Sequence, residues 1–385
     1  MATITQGKAR AAFTISGNSP KALHIREGIT SEAFLGLGMG CAQCHDHKFD
    51  PILQKDYFAL QAFLNSTWWP ESTPLGTKEE KADFEKQEAA WRKAAGPILA
   101  KIYALTADRR EKSREFIVRQ FPQEVQDIYW KDATDRTAYE EQIAQLVQRQ
   151  VDYKERRTDF EKEFAKDTEK LEQYKALKTE LAAFDKLKPE PLPTAFITTD
   201  VGTEAANTFF KSRGEKIEVE PAFLTLMNPE KPVVKPTGST TGRRTALADW
   251  IASEANPFST RVIVNRVWQR HFGNGLVATP NDFGRLGDPP SHPELLDWLT
   301  TGFLENGWQI KPLHRLITSS ATYRQTARRE PMTGESITDP ENRLLWRFPP
   351  QRLDAEQIRD AKLAISGELD RKIGGPSVDG TAPRR

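Results

Sequence analysis

The sequence predicts a mainly α, multi-domain protein, and three patterns in it do so. Residues 77–188 are dense in Lys, Arg, Glu and Asp, hold no glycine between Gly96 and Gly202, and place apolar side chains at helical intervals. The segments around Leu247, Val262 and Leu296 repeat an amphipathic helical spacing. Between Pro191 and Val234, by contrast, β-formers alternate between Gly and Pro turns, which leaves room for one small sheet. At 385 residues and 38% hydrophobic content, the chain is long enough for two or three cored domains. These patterns divide it into a small helical region (1–75), a charged helical insert (76–190), a small β segment (191–238) and a helical C-terminal domain (239–385).

The elements follow in order. Residues 1–30 carry little periodic signal, and Ser16-Gly17-Asn18-Ser19-Pro20 reads as a turn. From Thr30-Ser31-Glu32 a short helix carries Phe34, Leu35 and Met39. After Asp50-Pro51 a second helix presents Tyr57, Leu60, Phe63 and Leu64 on one side, and Trp68-Trp69-Pro70 with Pro74 ends the region. In the insert, Gly96-Pro97 and Phe121-Pro122 are the natural breaks, giving three or four helices in an antiparallel hairpin or bundle. Phe160, Phe164, Leu171, Tyr174, Leu177, Leu181 and Phe184 form its apolar stripe under a charged, solvated face. Lys188 to Pro193 is a stiff connector to strands near 194–199, 208–210 and 216–220. Beyond it Pro293 starts a helix, Gly273 and Gly307 stand at C-caps, and Asp354 opens a last helix through Ile365.

Composition removes several classes of function. A formal charge of +1 gives no field for nucleic acid or an anionic membrane. No apolar run reaches the roughly 18 to 20 residues of a spanning helix. Phosphate loops, dinucleotide fingerprints, serine-nucleophile elbows and metalloprotease motifs are absent from the sequence. Carboxylate pairs crowd the insert and identify no glycosidase there.

The chemistry-bearing stretch is Cys41-Ala42-Gln43-Cys44-His45. Two thiols three residues apart followed by an imidazole is the pattern of covalent haem attachment, in which the sulfurs form thioethers with two vinyl groups and His45 takes the iron. Three other readings stay open at this point: a redox dithiol, a zinc site completed by His45 or His47 and a distant histidine, and a disulfide or buried cysteine pair. His47 is too close to His45 to reach the far face of the same haem, but could ligate a neighbouring haem or anchor a propionate. Remote candidates for the sixth iron ligand are His24, His271, His292, His314 and Met227, while Met39 reads as core. His271, at a helix C-terminus, reads as a cap whose charged form the dipole favours. Asn281 to Asp288 is a polar, glycine-rich segment that reads either as a binding loop or as a turn held by Asp and Asn.

The run Phe34 to Asp50, FLGLGMGCAQCHDHKFD, continued by Pro51-Ile52 and Lys55-Asp56-Tyr57-Phe58, closely resembles the cytochrome c-like domain of planctomycete-type secreted proteins. Arg261 to His292, RVIVNRVWQRHFGNGLVATPNDFGRLGDPPSH, resembles the C-terminal domain that accompanies it, as do Leu316 to Gln325, Asp339 to Trp346 and Arg352 to Glu356. Together the two blocks cover about two-thirds of the chain. Both domains are of unknown function. The motif implies a covalent haem c on Cys41 and Cys44, haem attachment and the resemblance imply a periplasmic or extracellular setting, and the expected task is electron transfer to a redox partner protein or a neighbouring haem domain. The alternatives are a haem-free binding or scaffold protein with a zinc or structural Cys/His cluster, and a haem oxidoreductase with an open iron site. Met1 to Arg10 lacks the apolar core of a secretion signal, so the chain is expected to be a piece of a longer protein or to have a misplaced start.

Overall fold

The computed structural model describes residues 28–70, 73–227, 230–328, 338–372, 374 and 382–383. The turn at Ser16 to Pro20 and the candidate ligand His24 lie outside the described residues. The architecture is mainly helical, in two compact units: Met1–Glu32 with Gly38–Ser253, and Ala33–Leu37 with Glu254–Arg385.

The helix expected from Ser31 is already helical at residues 28–30 and passes into one wide π-type turn, Ser31–Leu35. It stops because Gly36 turns to φ +60°, and a second short turn of 3-10 type forms at Gly40–Gln43. Helix α1, Gln54–Ala62, follows the expected start after Pro51. Its residues Asp56 to Ala62 are all buried, so it is a core helix instead of an amphipathic surface one. Asp56 is held by Leu53 N–H at 3.0 Å and by Thr225 N–H and Oγ1 at 3.2 and 2.5 Å, which compensates burial of its carboxylate.

The insert begins with α2, Lys78–Val118, a single helix of 41 residues and thus about 60 Å long. Thr77 and Glu80 close its N-terminus as a capping box, at 3.2 and 2.7 Å. The break expected at Gly96-Pro97 is absent: Pro97 lies inside the helix. A proline removes one backbone hydrogen bond, and the packing of α2 against α4 (Ala138–Arg156) and α6 (Thr168–Ala182) outweighs that local loss. The second expected break is real, since Phe121 and Pro122 separate α2 from α3, Gln123–Trp130. Val118, Phe121, Val125, Tyr129, Ile143, Val147 and Val151 form the core at this end. The 160–184 stripe is divided as well. Helix α5, Phe160–Glu163, stops where Asp167 caps α6 afresh, and Phe160, Phe164 and Tyr174 pack ring on ring across the joint.

The β segment is three two-stranded antiparallel ladders instead of one sheet. Strand β1 (Thr67–Trp68) pairs β4 (Thr199–Asp200), and β2 (Thr73–Pro74) pairs β3 (Thr194–Ala195), so the stiff connector after α6 folds back on the entry to α2. β5 (Thr208–Ser212) and β6 (Glu215–Val219) form a hairpin through Arg213 and Gly214, at φ +51° and +88°. Two left-handed residues in a two-residue loop match the twist of the flanking strands. Asp200 fastens the ladders to helix α7 (Arg243–Ile251) through Thr241 N–H and Oγ1 at 2.8 and 2.6 Å and Arg244 Nε at 2.7 Å.

The second unit is helical, built on α8 (Ser259–Phe272), α9 (Pro293–Glu305), α10 (Ile310–Ser319) and α11 (Ala355–Ser366). Val264, Trp268, Phe272, Leu296, Leu299, Phe303, Leu313 and Ile317 share its core. Pro293 starts α9, Gly273 ends α8, and Asp354 with Gln357 caps α11, as the sequence anticipates. Gly36 docks in this unit: its carbonyl accepts from Phe283 N–H at 2.7 Å, and an added Cβ would meet Phe283 at 2.7 Å and Val262 at 2.9 Å.

Candidate functional site

The turn Gly40–Gln43 is closed by Ala42 N–H to Met39 O at 2.9 Å and Cys44 N–H to Cys41 O at 3.3 Å. Side chains at i and i+3 of a 3-10 turn eclipse. Met39 and Ala42, both 0% exposed, are therefore its inward face, and Cys41 and Cys44 share its outward one. Both cysteines are exposed and free, so the expectation of a disulfide or buried pair does not describe this structure.

The two neighbouring histidines differ in the partner that their Nδ1 meets. His45 Nδ1 is 2.6 Å from the carbonyl oxygen of Asp46. A carbonyl only accepts, so the proton sits on Nδ1 and the lone pair on Nε2, the tautomer of a metal-ligating imidazole whose other nitrogen is fixed by a second partner. His47 Nδ1 instead accepts from Asp50 N–H at 3.0 Å and lies 3.3 Å from Asp50 Oδ2. Asp50 thus takes up Nδ1 of His47 within the loop. His47 is built into the loop, its own N–H donating to Ile52 O at 2.8 Å. Asp46 Oδ1 and Gln43 O receive the backbone and side-chain N–H groups of Gln54 at 2.8 and 3.1 Å, which ties the loop to the start of α1.

Beside Cys44 the first unit opens a cleft of about 540 Å³, within the ordinary range for small-molecule and cofactor sites. Gln43 and Cys44 form one end, Phe58, Gln61 and Asn65 one wall, and the β5–β6 hairpin the other, with Phe209, Phe210, Lys211 and Lys216. Phe58 and Phe210 stack at 5.3 Å with planes 14° apart. Lys216 Nζ lies 3.8 Å from the centroid of Phe209. The hairpin residues were not singled out from sequence. Their one local sign is the Arg213-Gly214 turn between two short β-forming runs, and only the tertiary fold brings them to the cysteines.

The other sequence candidates fall elsewhere. Met39 is core. His292 precedes α9 and meets Ser291 Oγ through Nδ1 at 2.9 Å. His271 Nε2 and His314 Nδ1 are 2.7 Å apart in the second unit, with Tyr323 edge-on to His271. Burial, followed by the neighbouring His314, pushes the His271 pKa below its usual 6.5, so the charged capping histidine expected from the helix dipole is a neutral, hydrogen-bonded one. The Asn281–Asp288 segment is the turn of the two readings. Asp282 Oδ1 accepts from Gly284 N–H at 2.9 Å, and Thr279 Oγ1 ties Asp282 O and Asp288 N–H at 2.7 and 2.9 Å. Among the described residues no group of three or more His, Cys, Asp or Glu is arranged to hold a metal ion, which leaves the zinc reading without a ligand set there.

Two family profiles match the chain. Residues 14–68 match PSCyt2, described as a protein of unknown function (DUF1549), and residues 243–385 match PSD1, described as a protein of unknown function (DUF1553). These are the planctomycete cytochrome c-like domain and its companion C-terminal domain, the two families resembled by the stretches around Cys41 and Arg261. No curated protein and no solved structure matches the chain. The insert, strands β2 to β4 and the hairpin wall of the cleft lie outside both matched segments. Among the described residues no helix is long and apolar enough to cross a membrane.

Proposed function

We propose that this protein carries a covalent haem c and transfers electrons, with Cys41 and Cys44 as attachment points and His45 Nε2 as the proximal iron ligand. The observation that carries the reading is the pairing of two outward thiols on one face of a turn with an imidazole whose lone pair is left on Nε2. Each thiol would add across one vinyl double bond, its sulfur bonding the carbon nearest the ring and its hydrogen going to the terminal carbon, so no external oxidant is needed. The bound group would supply one-electron chemistry. Asp46 O fixes the plane of the His45 ring, Met39 and Ala42 anchor the turn in the core, and His47 with Asp50 shapes the loop. Haem attachment of this kind calls for a periplasmic or extracellular setting, and its electrons for a redox partner protein or a second haem domain.

A second reading, a haem oxidoreductase with an open iron site, draws on the cleft lining, whose donor atoms beyond Cys44 are amides, hydroxyls and the Lys211 and Lys216 amines. The two are separated by one preparation. The chain is exported in a host that matures c-type haem, run on a denaturing gel stained for haem, and its reduced spectrum is compared with and without carbon monoxide. Covalent stain that is lost in Cys41→Ser/Cys44→Ser is expected. Colourless wild-type protein overturns the proposal, and a carbon monoxide shift favours the open-site reading over simple electron transfer.

A further inference from the structure

The second unit holds a cavity lined by no residue of the cysteine motif. It has a volume of about 180 Å³, lies among the end of α8, the loop before α9 and the loop around Asn342, and is floored by Trp268, Phe272 and Leu276. A cavity of about 150 Å³ takes a molecule of benzene's size, so this one admits a ligand of roughly six to ten non-hydrogen atoms. Its walls are fixed by bonds made behind them. Asn265 ties the backbone of Val277 at 2.8 and 2.9 Å, and Ser291 N–H donates to Leu276 O at 2.8 Å. On the opposite loop the Asp339 carboxylate accepts from Arg343 and Leu344 N–H, both at 2.8 Å, and Asn342 bonds the N–H and C=O of Arg347 at 3.2 and 2.9 Å. The loop so held carries Asn342 and Leu345, both on the cavity wall, at φ +57° and +56°. A leucine seldom takes that conformation, and backbones that impose it gather at ligand sites.

The charged side chains are what this framework leaves over. Asp288, Glu341 and Arg343 line the same cavity, and among the described residues none of the three makes a side-chain hydrogen bond or ion pair. An uncharged ligand would answer none of them, a simple cation would leave Arg343, and a simple anion would meet two carboxylates. The two carboxylates belong to no group of metal-holding residues among those described. A molecule with an ammonium and a carboxylate a few bonds apart answers both signs within the available volume. We infer that this cavity binds a small zwitterion of the α-amino-acid class, with its carboxylate on Arg343, its ammonium on Asp288 and Glu341, and its side chain toward the Trp268–Phe272 floor. Two carboxylates against one guanidinium favour neutral and basic amino acids over acidic ones. The site concerns the second unit alone and does not rest on the haem reading.

The test is calorimetric titration of the full-length chain with the standard free L-amino acids, one at a time, and with glucose as an uncharged solute. At least one neutral or basic amino acid should bind saturably, at one site per chain. Its amide and its α-hydroxy acid counterpart each lack one charge at nearly unchanged size, and each should bind about tenfold or more weaker, the loss of one charge-assisted hydrogen bond. Arg343→Gln and Asp288→Asn/Glu341→Gln should weaken the parent amino acid by a similar factor, whereas Glu305→Gln/Lys311→Gln, exposed and outside the lining, should bind like wild type. The cavity variants give up no bond within the fold, so their urea midpoints should match wild type. Should one unfold early, the amide and hydroxy acid still test each charge on wild-type protein. Binding of no amino acid, preference for acidic ones or for glucose, equal binding of the singly charged analogues, or affinity unmoved in the cavity variants or lowered equally by the control overturns the assignment.

Discussion

Three glycines alternate ahead of the cysteine turn, Gly36, Gly38 and Gly40, and the structure requires only the first. Gly36 sits at φ +60°, where a side chain costs about 1–2 kcal/mol. An added Cβ would also stand 2.7 Å from Phe283 and 2.9 Å from Val262, contacts that must give way at a cost of about 1–3 kcal/mol. Gly36→Ala should therefore destabilise the second unit by about 2–5 kcal/mol. Gly38→Ala meets nothing within 4 Å and lies outside the positive-φ region, so it should be neutral or stabilise by about 0.4–1 kcal/mol through the unfolded chain. Hydrogen exchange at the Phe283 amide, which donates to Gly36 O at 2.7 Å, reports the local loss, and urea unfolding followed through the aromatic core reports the global one. Equal behaviour of the two alanine variants would refute the packing argument.

Three further outcomes follow from buried polar groups. Asn265, 0% exposed, bonds both the N–H and C=O of Val277 at 2.8 and 2.9 Å, so Asn265→Ala orphans two buried backbone groups and should cost about 3 kcal/mol in urea unfolding. Asp200→Ala strips Thr241 and Arg244 of their acceptor; because Arg244 is 29% exposed and can recover water, the expected cost of about 3 kcal/mol lies at the low end for a broken buried pair. The depressed pKa of His271 means that the unfolded chain binds more protons below its ordinary value of 6.5. Stability of the second unit should accordingly be full above that pH and fall as pH drops below it, and a melting series from pH 7.5 to about 5 should lose part of this slope in His271→Gln.

The mainly helical fold and the caps at Pro293, Gly273 and Asp354 were legible because they depend on neighbours within one or two turns of chain. The same local rules misplaced the break at Pro97, where contacts made by α2 with distant helices outweigh one missing hydrogen bond. They also missed the division of the 160–184 stripe, which Asp167 imposes by capping a new helix.

At the candidate site the sequence by itself determined the chemistry: two thiols at a spacing that one short turn places on one face, followed by an imidazole. How each ring is held was not legible, since His45 and His47 differ only in the partner that the folded loop brings to Nδ1. Nor were the cleft walls, because Cys44 and the Lys211–Lys216 pair are more than 160 residues apart and meet only through the packing of α1 against the hairpin. Motif spacing is a property of bonded neighbours, whereas a pocket is made by chain segments whose proximity depends on burying Phe58 and Phe210 against each other.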